Sequence, residues 1–576
     1  MVRSMKKALF ILFLISILVL SSMAFVGCDS VPEPTQTEAT EKATGPLDDT
    51  MFNIYYKHKY LCAFVSPEAP TEIESLIIDE LKSTIMKQTG VAVSFINDSE
   101  SIDGYESVIL IGNTKYQESK DAYAVLGENR ATAEVKNEKL VVAFSSLSGG
   151  KGIIKLLSRR MSNNNFGEIR IELDYSEIYD TISQEDNFPV FKHADKNIDC
   201  GEDTYMRYFE DVLPVEFDSY CEEIQTAGFS KLYSREKNGN LFATFANDSI
   251  YAYVYYTAHS NDIRIITGPV ETLALADYTA DVEIESESYI ASIPQPKDGQ
   301  GYILRLPDGR YLIHDGGYEG DDRVYKALRN LQPEGDITIA AWFISHPHSD
   351  HYAAFIDFIR DHGKDESIVI ERLIHNYIHH ESYNINGSAG LDMLGESVQK
   401  LYSSIDEYAP DLTVIKAHTG QVISFGDAEV EILFTVEDIL PASLTNNNDS
   451  SMVIRVCMSG NSIMLLADTC YASGPKLNNI WGDYLKSDIV QVAHHGMWPS
   501  VADIYHSIQG EVVLFSAMYT GVNYYIKDNT GWEDVMQVVL EYAKDIYVSD
   551  AQGEVIMLPY IAKNNKEAQL EYIKNR

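Results

Sequence analysis

Three imidazoles and a carboxylate crowd into one short run, Ser345-His346-Pro347-His348-Ser349-Asp350-His351. The run closes an apolar, strand-like segment from Ile337 to Ile344, and the residues from Tyr352 to Phe358 beyond it read as a helix. In an extended loop His346 and His348 project to the same side, so both can reach one metal ion. Asp350 and His351 follow at the helix start and can face a second ion nearby. Neutral imidazole and carboxylate suit zinc and its first-row neighbours. The competing explanation is a solvated loop that collects these residues by chance.

Other strand-like runs end the same way. Ser462-Ile463-Met464-Leu465-Leu466-Ala467 leads into Asp468, and Ile489-Val490-Gln491-Val492-Ala493 leads into His494-His495-Gly496. Upstream, Tyr311-Leu312-Ile313-His314 leads into Asp315-Gly316-Gly317. A lone Asp after a strand is usually a turn former or a helix cap. Four such endings are hard to attribute to capping alone.

Together these residues resemble the metallo-β-lactamase superfamily of binuclear hydrolases. The Ala493-His494-His495-Gly496 ending is similar to one branch of it, the hydrolase domains of competence DNA-uptake channel proteins and the phosphorylcholine esterases of bacterial cell walls. Asn448 to Arg455 and Ile546 to Gly553 also look like that branch. The resemblance runs from about Ser288 to Ala562. Its motifs speak for fold and metal site and say little of substrate. It implies an α/β fold, the αβ/βα sandwich with two sheets face to face and helices outside.

Carried over residue by residue, the resemblance gives His346 and His348 to a first metal. Asp350, His351 and one of the His494-His495 pair hold a second, and Asp468 bridges both. Asp315 supports the metal loops without ligating. The catalytic set is Asp350, His494 and His495, with one terminal imidazole on metal and the other free to touch substrate. The expected cofactor is a pair of divalent ions, zinc, with manganese as the alternative. The chain departs from the family pattern after Val430-Glu431-Ile432-Leu433-Phe434, where Thr435-Val436-Glu437 supplies no imidazole to the first metal. His375, His379, His380 and His418 are the candidates to replace it. His375 and His379 share a face if Leu373 to His380 is helical. Surface or supporting roles are the competing reading for all four. His314 reads as packed or hydrogen-bonded behind Asp315.

Such ions make hydrolysis the expected chemistry. Zinc lowers the pKa of bound water from about 15.7 to about 7. Two ions also clamp the attacking and leaving oxygens of an in-line displacement, which suits phosphate esters. The resemblance thus implies a phosphodiesterase that uses a metal-bridging hydroxide. No four-cysteine or paired cysteine-histidine spacing suggests a structural finger.

The elements that must carry this site sit late in a long chain. Arg3, Lys6 and Lys7 precede an apolar stretch from Ala8 to Leu20, too short for an ordinary membrane span. It ends in Ala24-Phe25-Val26-Gly27-Cys28, which resembles the bacterial lipoprotein cleavage box. Residues 1–28 therefore read as a lipoprotein signal peptide, with Cys28 lipidated and the protein held on the extracytoplasmic face of the cell membrane. Residues 29–50, rich in Pro, Thr, Glu and Ala, read as a flexible linker. Five further cysteines form no evident disulfide framework, with Cys200 and Cys221 the one pair to entertain.

Of 576 residues, 86 are acidic and 45 basic, a formal net charge of −41. Nucleic-acid binding depends on Lys and Arg neutralising phosphates, so strong affinity of that kind is not expected. A small or wall-associated phosphoester fits better. Residues 51–198 read as an α/β accessory domain, 199–285 as a small α+β domain and 286–576 as the hydrolase domain. The Ile250-Tyr251-Ala252-Tyr253-Val254-Tyr255-Tyr256 strand offers tyrosines to a sugar or choline, unless they simply cover a half-buried sheet face. The rival functions are a nuclease or a lactam or lactone hydrolase of the same fold, and a cell-surface binding protein with a non-catalytic metal centre.

Overall fold

The computed structural model describes residues 51–576 except 57–58, 90, 94, 127–129, 146, 160, 165–167, 173–177, 183–187, 190, 192–195, 281–285, 296, 298, 379–393, 445 and 528–529. The segments expected to be a signal peptide with Cys28 and a linker, and His379 and His380, lie outside the described residues. The chain is mixed α/β and divides into two compact units, residues 1–187 and 188–576.

The first unit holds a six-stranded sheet in the order Ile178–Ile182, Arg130–Lys136, Lys139–Phe144, Ser107–Ile111, Cys62–Ser66, Phe95–Asn97. Phe64, Ile77, Ile109, Val142, Ile153 and Leu157 form its main core, where the Glu72–Thr89 and Leu147–Arg159 helices cover one face. The strand expected over Val91 to Phe95 forms later, as Phe95–Asn97.

The second unit carries the motif residues on two large sheets. One runs Thr413–Lys416, Arg372–His375, Ile337–Phe343, Tyr311–Asp315, Gly301–Arg305, Tyr289–Ser292, Val555–Met557. The other runs Val422–Phe425, Ala428–Phe434, Val453–Met458, Asn461–Leu465, Ile489–Gln491, Val512–Phe515, Asp545–Val548. Each is antiparallel on one side and parallel on the other, changing at Tyr311–Asp315 in the first and at Asn461–Leu465 in the second. Leu304, Leu312, Phe343, Ile374, Ile432, Ile454, Leu465 and Leu514 share one buried core between the sheets. Helices close the outer faces. Phe355 and Phe358 of Ser349–His362 meet Trp342 edge to face at 5.0 and 5.1 Å. On the other side Trp481 at the end of Ser473–Trp481 donates its indole N–H to the Leu433 carbonyl. The layers are helix, sheet, sheet, helix.

A third sheet in this unit is wholly antiparallel: Lys196–Asp199, Tyr205–Phe209, Asp262–Pro269, Ile250–Thr257, Asn240–Ala246, Ser230–Lys237. Its alternation sorts two buried faces. Ala252, Val254 and Tyr256 pack with Phe217, Tyr220 and Ile224 of the Pro214–Thr226 helix. Tyr251, Tyr253 and Tyr255 enter the core of the sandwich and are fully buried. Of the two readings of these tyrosines, cover for a sheet face and not a ligand face is the one found, and their hydroxyls bond inward to His418, the Thr419 carbonyl and Asp438. Both faces of the strand are apolar enough to be covered, which its period of two left open.

Among the described residues the cysteines form no disulfide, and the one pair entertained is not made. Cys200 and Cys221 are unpaired and lie in different cores. Cys470 is likewise a buried thiol, which Asn446 contacts through its amide at 3.3 Å. Among the described residues no helix is long and apolar enough to cross a membrane.

Candidate metal centre

The metal-type residues arrive on turns that leave parallel strands at their C-terminal ends. Asp315 ends its strand, His346 and His348 follow Ile337–Phe343, Asp468 follows Asn461–Leu465, and His494 and His495 follow Ile489–Gln491. Open α/β sheets bind ligands at such ends. Asp350 sits in the first turn of Ser349–His362, where the helix dipole favours a carboxylate. Asp315, Ala467, His494 and His495 all hold left-handed backbone, with φ of 57°, 50°, 51° and 59°. For a residue with a side chain this costs about 1–2 kcal/mol each. Strain of this kind persists where the surroundings enforce it, and it gathers at functional sites.

These turns bring the seven expected metal residues together, six of them around one buried carboxylate, Asp468. Asp468 Oδ1 lies 3.2 Å from His351 Nε2 and 3.6 Å from His495 Nε2. Its Oδ2 lies 3.7 Å from His346 Nε2 and 3.6 Å from His494 Nε2. Asp350 Oδ2 reaches His495 Nε2 at 3.1 Å and His351 Nε2 at 3.8 Å. On the other side His346 Nε2 and His348 Nδ1 are 2.8 Å apart. Two donor groups result, with their ligand atoms within 4.8 Å of one another. One is Asp350, His351, Asp468 and His495; the other is His346, His348 and Asp468.

Three of the rings are steered from behind through Nδ1. His351 Nδ1 is 2.8 Å from Asp315 Oδ2, and His495 Nδ1 is 3.0 Å from the Ser516 carbonyl. His346 Nδ1 is 3.1 Å from Ser345 Oγ and 3.4 Å from Ser451 Oγ. Each therefore turns Nε2 toward Asp468. Partners of this kind fix tautomer and ring orientation in metal sites. Asp315 is itself held by the Ser345 amide, the Ser345 hydroxyl and Gln300 at 2.8, 2.9 and 3.2 Å.

The charges divide the site. Burial alone would raise Asp468, but the imidazoles of His351, His495 and His494 hold its carboxyl well below the usual range. Asp350 is lowered against burial by His351 and His495 in the same way. Burial pushes His346, His348 and His494 down, keeping them in the neutral form that ligates. For His351 and His495 burial is outweighed by the carboxylates they face, so both are raised.

This donor set fits divalent cations. His351 Nε2 and Asp468 Oδ1 face each other, fully buried, and neither has a hydrogen-bond partner. Orphaned polar atoms are costly in an interior, and a cation bound between them would satisfy both. Nitrogen and carboxylate oxygen donors are those of zinc and neighbouring metals.

Other sequence candidates lie elsewhere. His375 ends a strand rather than lying on a helix, because the short Arg372–His375 run pairs in parallel with Ile337–Phe343. Its Nδ1 accepts from the Tyr377 amide and its Nε2 meets the Tyr402 hydroxyl. His418 is clamped between Glu437 and Tyr251. Glu437, in the place of the absent imidazole, also turns to Asn376. His314 packs behind Asp315, beside Gln300. Sequence reading missed Gln300 and Ser516, which are remote along the chain and carry no motif, and gave no role to Ser451 within the Asn448 to Arg455 stretch. It also gave no role to Asn448, whose Nδ2 is 3.2 Å from His494 Nε2, or to Trp498, whose ring centroid is 5.5 Å from that of His494.

No family model matches this chain, and no curated protein matches it. Among solved structures it is similar to a mutant of CmlA beta-hydroxylase, at 14% sequence identity and a TM-score of 0.29. The match covers 48% of this chain and 55% of that one, so the chain spans little more than half the length of its solved relative.

Proposed function

We propose that the protein is an exported, lipid-anchored hydrolase of the metallo-β-lactamase type, dependent on two divalent metal ions and acting on a phosphodiester. One observation carries the reading: a single buried carboxylate, Asp468, offers one oxygen to His351 and His495 and the other to His346 and His494. A shared carboxylate between two imidazole groups is the donor pattern of a binuclear site. Export and anchoring rest on the Cys28 sequence pattern alone.

Bound divalent ions supply Lewis acidity, lowering the pKa of water and neutralising charge on a phosphoryl or acyl oxygen. The chain's own residues do the rest. Asp315 holds His351, Ser516 holds His495, and Ser345 with Ser451 holds His346, so the rings need little reorganisation when substrate arrives. The Asp350 side chain, 20% exposed, marks the open side of the centre. Beside His494, Trp498, 45% exposed, meets Trp532 edge to face at 5.9 Å, a wall suited to an organic group beside the scissile bond.

The test is metal analysis of the purified protein joined to hydrolysis of bis-p-nitrophenyl phosphate, p-nitrophenyl phosphorylcholine and a lactam. Two equivalents of metal and turnover of a phosphodiester are expected. Activity on the lactam alone would replace the phosphodiester assignment, and bound metal without any turnover would favour a binding protein.

A further inference from the structure

The sequence leaves the first pocket one imidazole short, and the backbone around His494 suggests where it comes from. His494 and His495 are consecutive and both left-handed, which folds the chain tightly after Ile489–Gln491. Their ring centroids sit 5.9 Å apart at 53° to each other, and their Nε2 atoms meet opposite oxygens of Asp468. His495 is committed to the second pocket by Asp350 at 3.1 Å in front and the Ser516 carbonyl at 3.0 Å behind. His494 instead faces the oxygen that His346 also faces.

Independent observations point the same way. His494 Nδ1 and Asn448 Oδ1 are buried without hydrogen-bond partners. Asn448 meets His494 Nε2 through its amide nitrogen at 3.2 Å, a contact that a cation on that nitrogen would replace. Of the replacements suggested by sequence, His379 and His380 lie outside the described residues, and His375 and His418 have both ring nitrogens engaged by protein.

We infer that His494 is the third imidazole of the first pocket, completing a donor set of His346, His348, His494 and Asp468, while His495 serves the second; this rests on the metal-centre reading above. The two pockets then differ in kind. Three nitrogens and one oxygen make the first the softer, and two of each make the second the harder.

Cobalt titration of the chelator-stripped full chain tests this through visible absorption and metal content, without reference to turnover. The parent is expected to bind two equivalents. His494→Ala should weaken one of them at least about tenfold, and His494→Gln should do the same with an unchanged circular dichroism spectrum. Because ligands to one ion are not independent, His346→Ala with His494→Ala should cost little more than either alone. His351→Ala with His494→Ala should lose both ions. Two equivalents at parental affinity in both His494 variants would overturn the inference and make His494 a substrate contact. A parent that binds no cobalt would sink the metal-centre reading itself, and this inference with it.

Discussion

Among its described residues the second unit contains two buried clusters of histidine and carboxylate, around Asp468 and around Glu437, and only the first looks like a metal centre. Around Asp468, the rings of His346, His351 and His495 have one nitrogen tied to protein and the other turned inward. Around Glu437, His418 has Nδ1 at 2.9 Å from the carboxylate and Nε2 at 2.8 Å from Tyr251 Oη. The neighbouring Asp438 accepts from Thr419, Tyr255 and the Thr435 amide. Residue types and burial are much the same in both places. The difference is satisfaction: the Glu437 cluster closes its own hydrogen bonds, while His351 Nε2 and Asp468 Oδ1 are left facing each other without one. Donors left unsatisfied by protein mark a site for something else, and donors that satisfy one another mark a joint between sheets.

The sharpest way to break this contrast is to neutralise each central carboxylate. Asp468→Asn removes the charge shared by both pockets and should empty both of metal, with a loss of turnover of about 1,000-fold or more. Its thermal unfolding midpoint without metal should fall, since His351 and His495 lose the carboxylate that both face. Metal content and kcat/KM check the first outcome, and calorimetry of the stripped protein checks the second. An Asp468→Asn protein that keeps both ions would erase the distinction.

Glu437→Ala should cost stability and spare the metal. It strands His418 and Asn376 inside the joint between the tyrosine sheet and the sandwich, where breaking such a buried cluster costs about 3–5 kcal/mol. Denaturant unfolding should register that loss while the protein still binds two metal equivalents when folded. Loss of metal at unchanged stability would place Glu437 in the centre after all.

These contrasts also define how far the sequence could be read. The seven residues of the Asp468 cluster were legible because each follows an apolar run that forms a strand and then turns, so their convergence is a property of pattern. The division of His494 and His495 was not, because it depends on two consecutive left-handed residues that no residue type there announces. The roles of Ser451 and Ser516 were invisible for another reason: a hydroxyl or a carbonyl that steers a ring gains that role only through contacts across the sheet. His375 was open to a helical reading because a short apolar run is ambiguous, and parallel pairing decided for a strand. The tyrosine strand showed two faces clearly and left unsaid that both are covered.

His375 offers a smaller test on the structural side. Burial, aided by the charge of Lys416, pushes its imidazole down from 6.5 to about 3. The folded form therefore binds the proton less readily than the unfolded form. Stability from this group is complete above the unfolded value of 6.5 and is lost as pH falls from there toward about 3. Between pH 7 and pH 5 that amounts to about 2 kcal/mol. Urea unfolding of the parent and of His375→Gln at both pH values should give the parent the steeper acid dependence by that margin. Equal slopes would mean that His375 is protonated in the fold.

The smallest effect concerns what the Asp468 cluster has and the Glu437 cluster lacks, an opening to solvent. Trp498 stands beside His494, half-exposed, with its own backbone left-handed at φ 51°. A bulky residue held this way at a surface costs about 1–2 kcal/mol that glycine would not. Retaining it makes sense if the ring contacts the bound organic group. Trp498→Ala should raise KM a few-fold with kcat nearly unchanged, the mark of binding energy used equally in ground and transition states. Trp498→Gly should show the same KM and a slightly higher melting temperature, because the strain is released. Unchanged KM in both variants would leave the ring without a substrate role and make the opening a plain mouth. Comparison of a small and an aryl-substituted phosphodiester then reads how much of the organic group the indole covers.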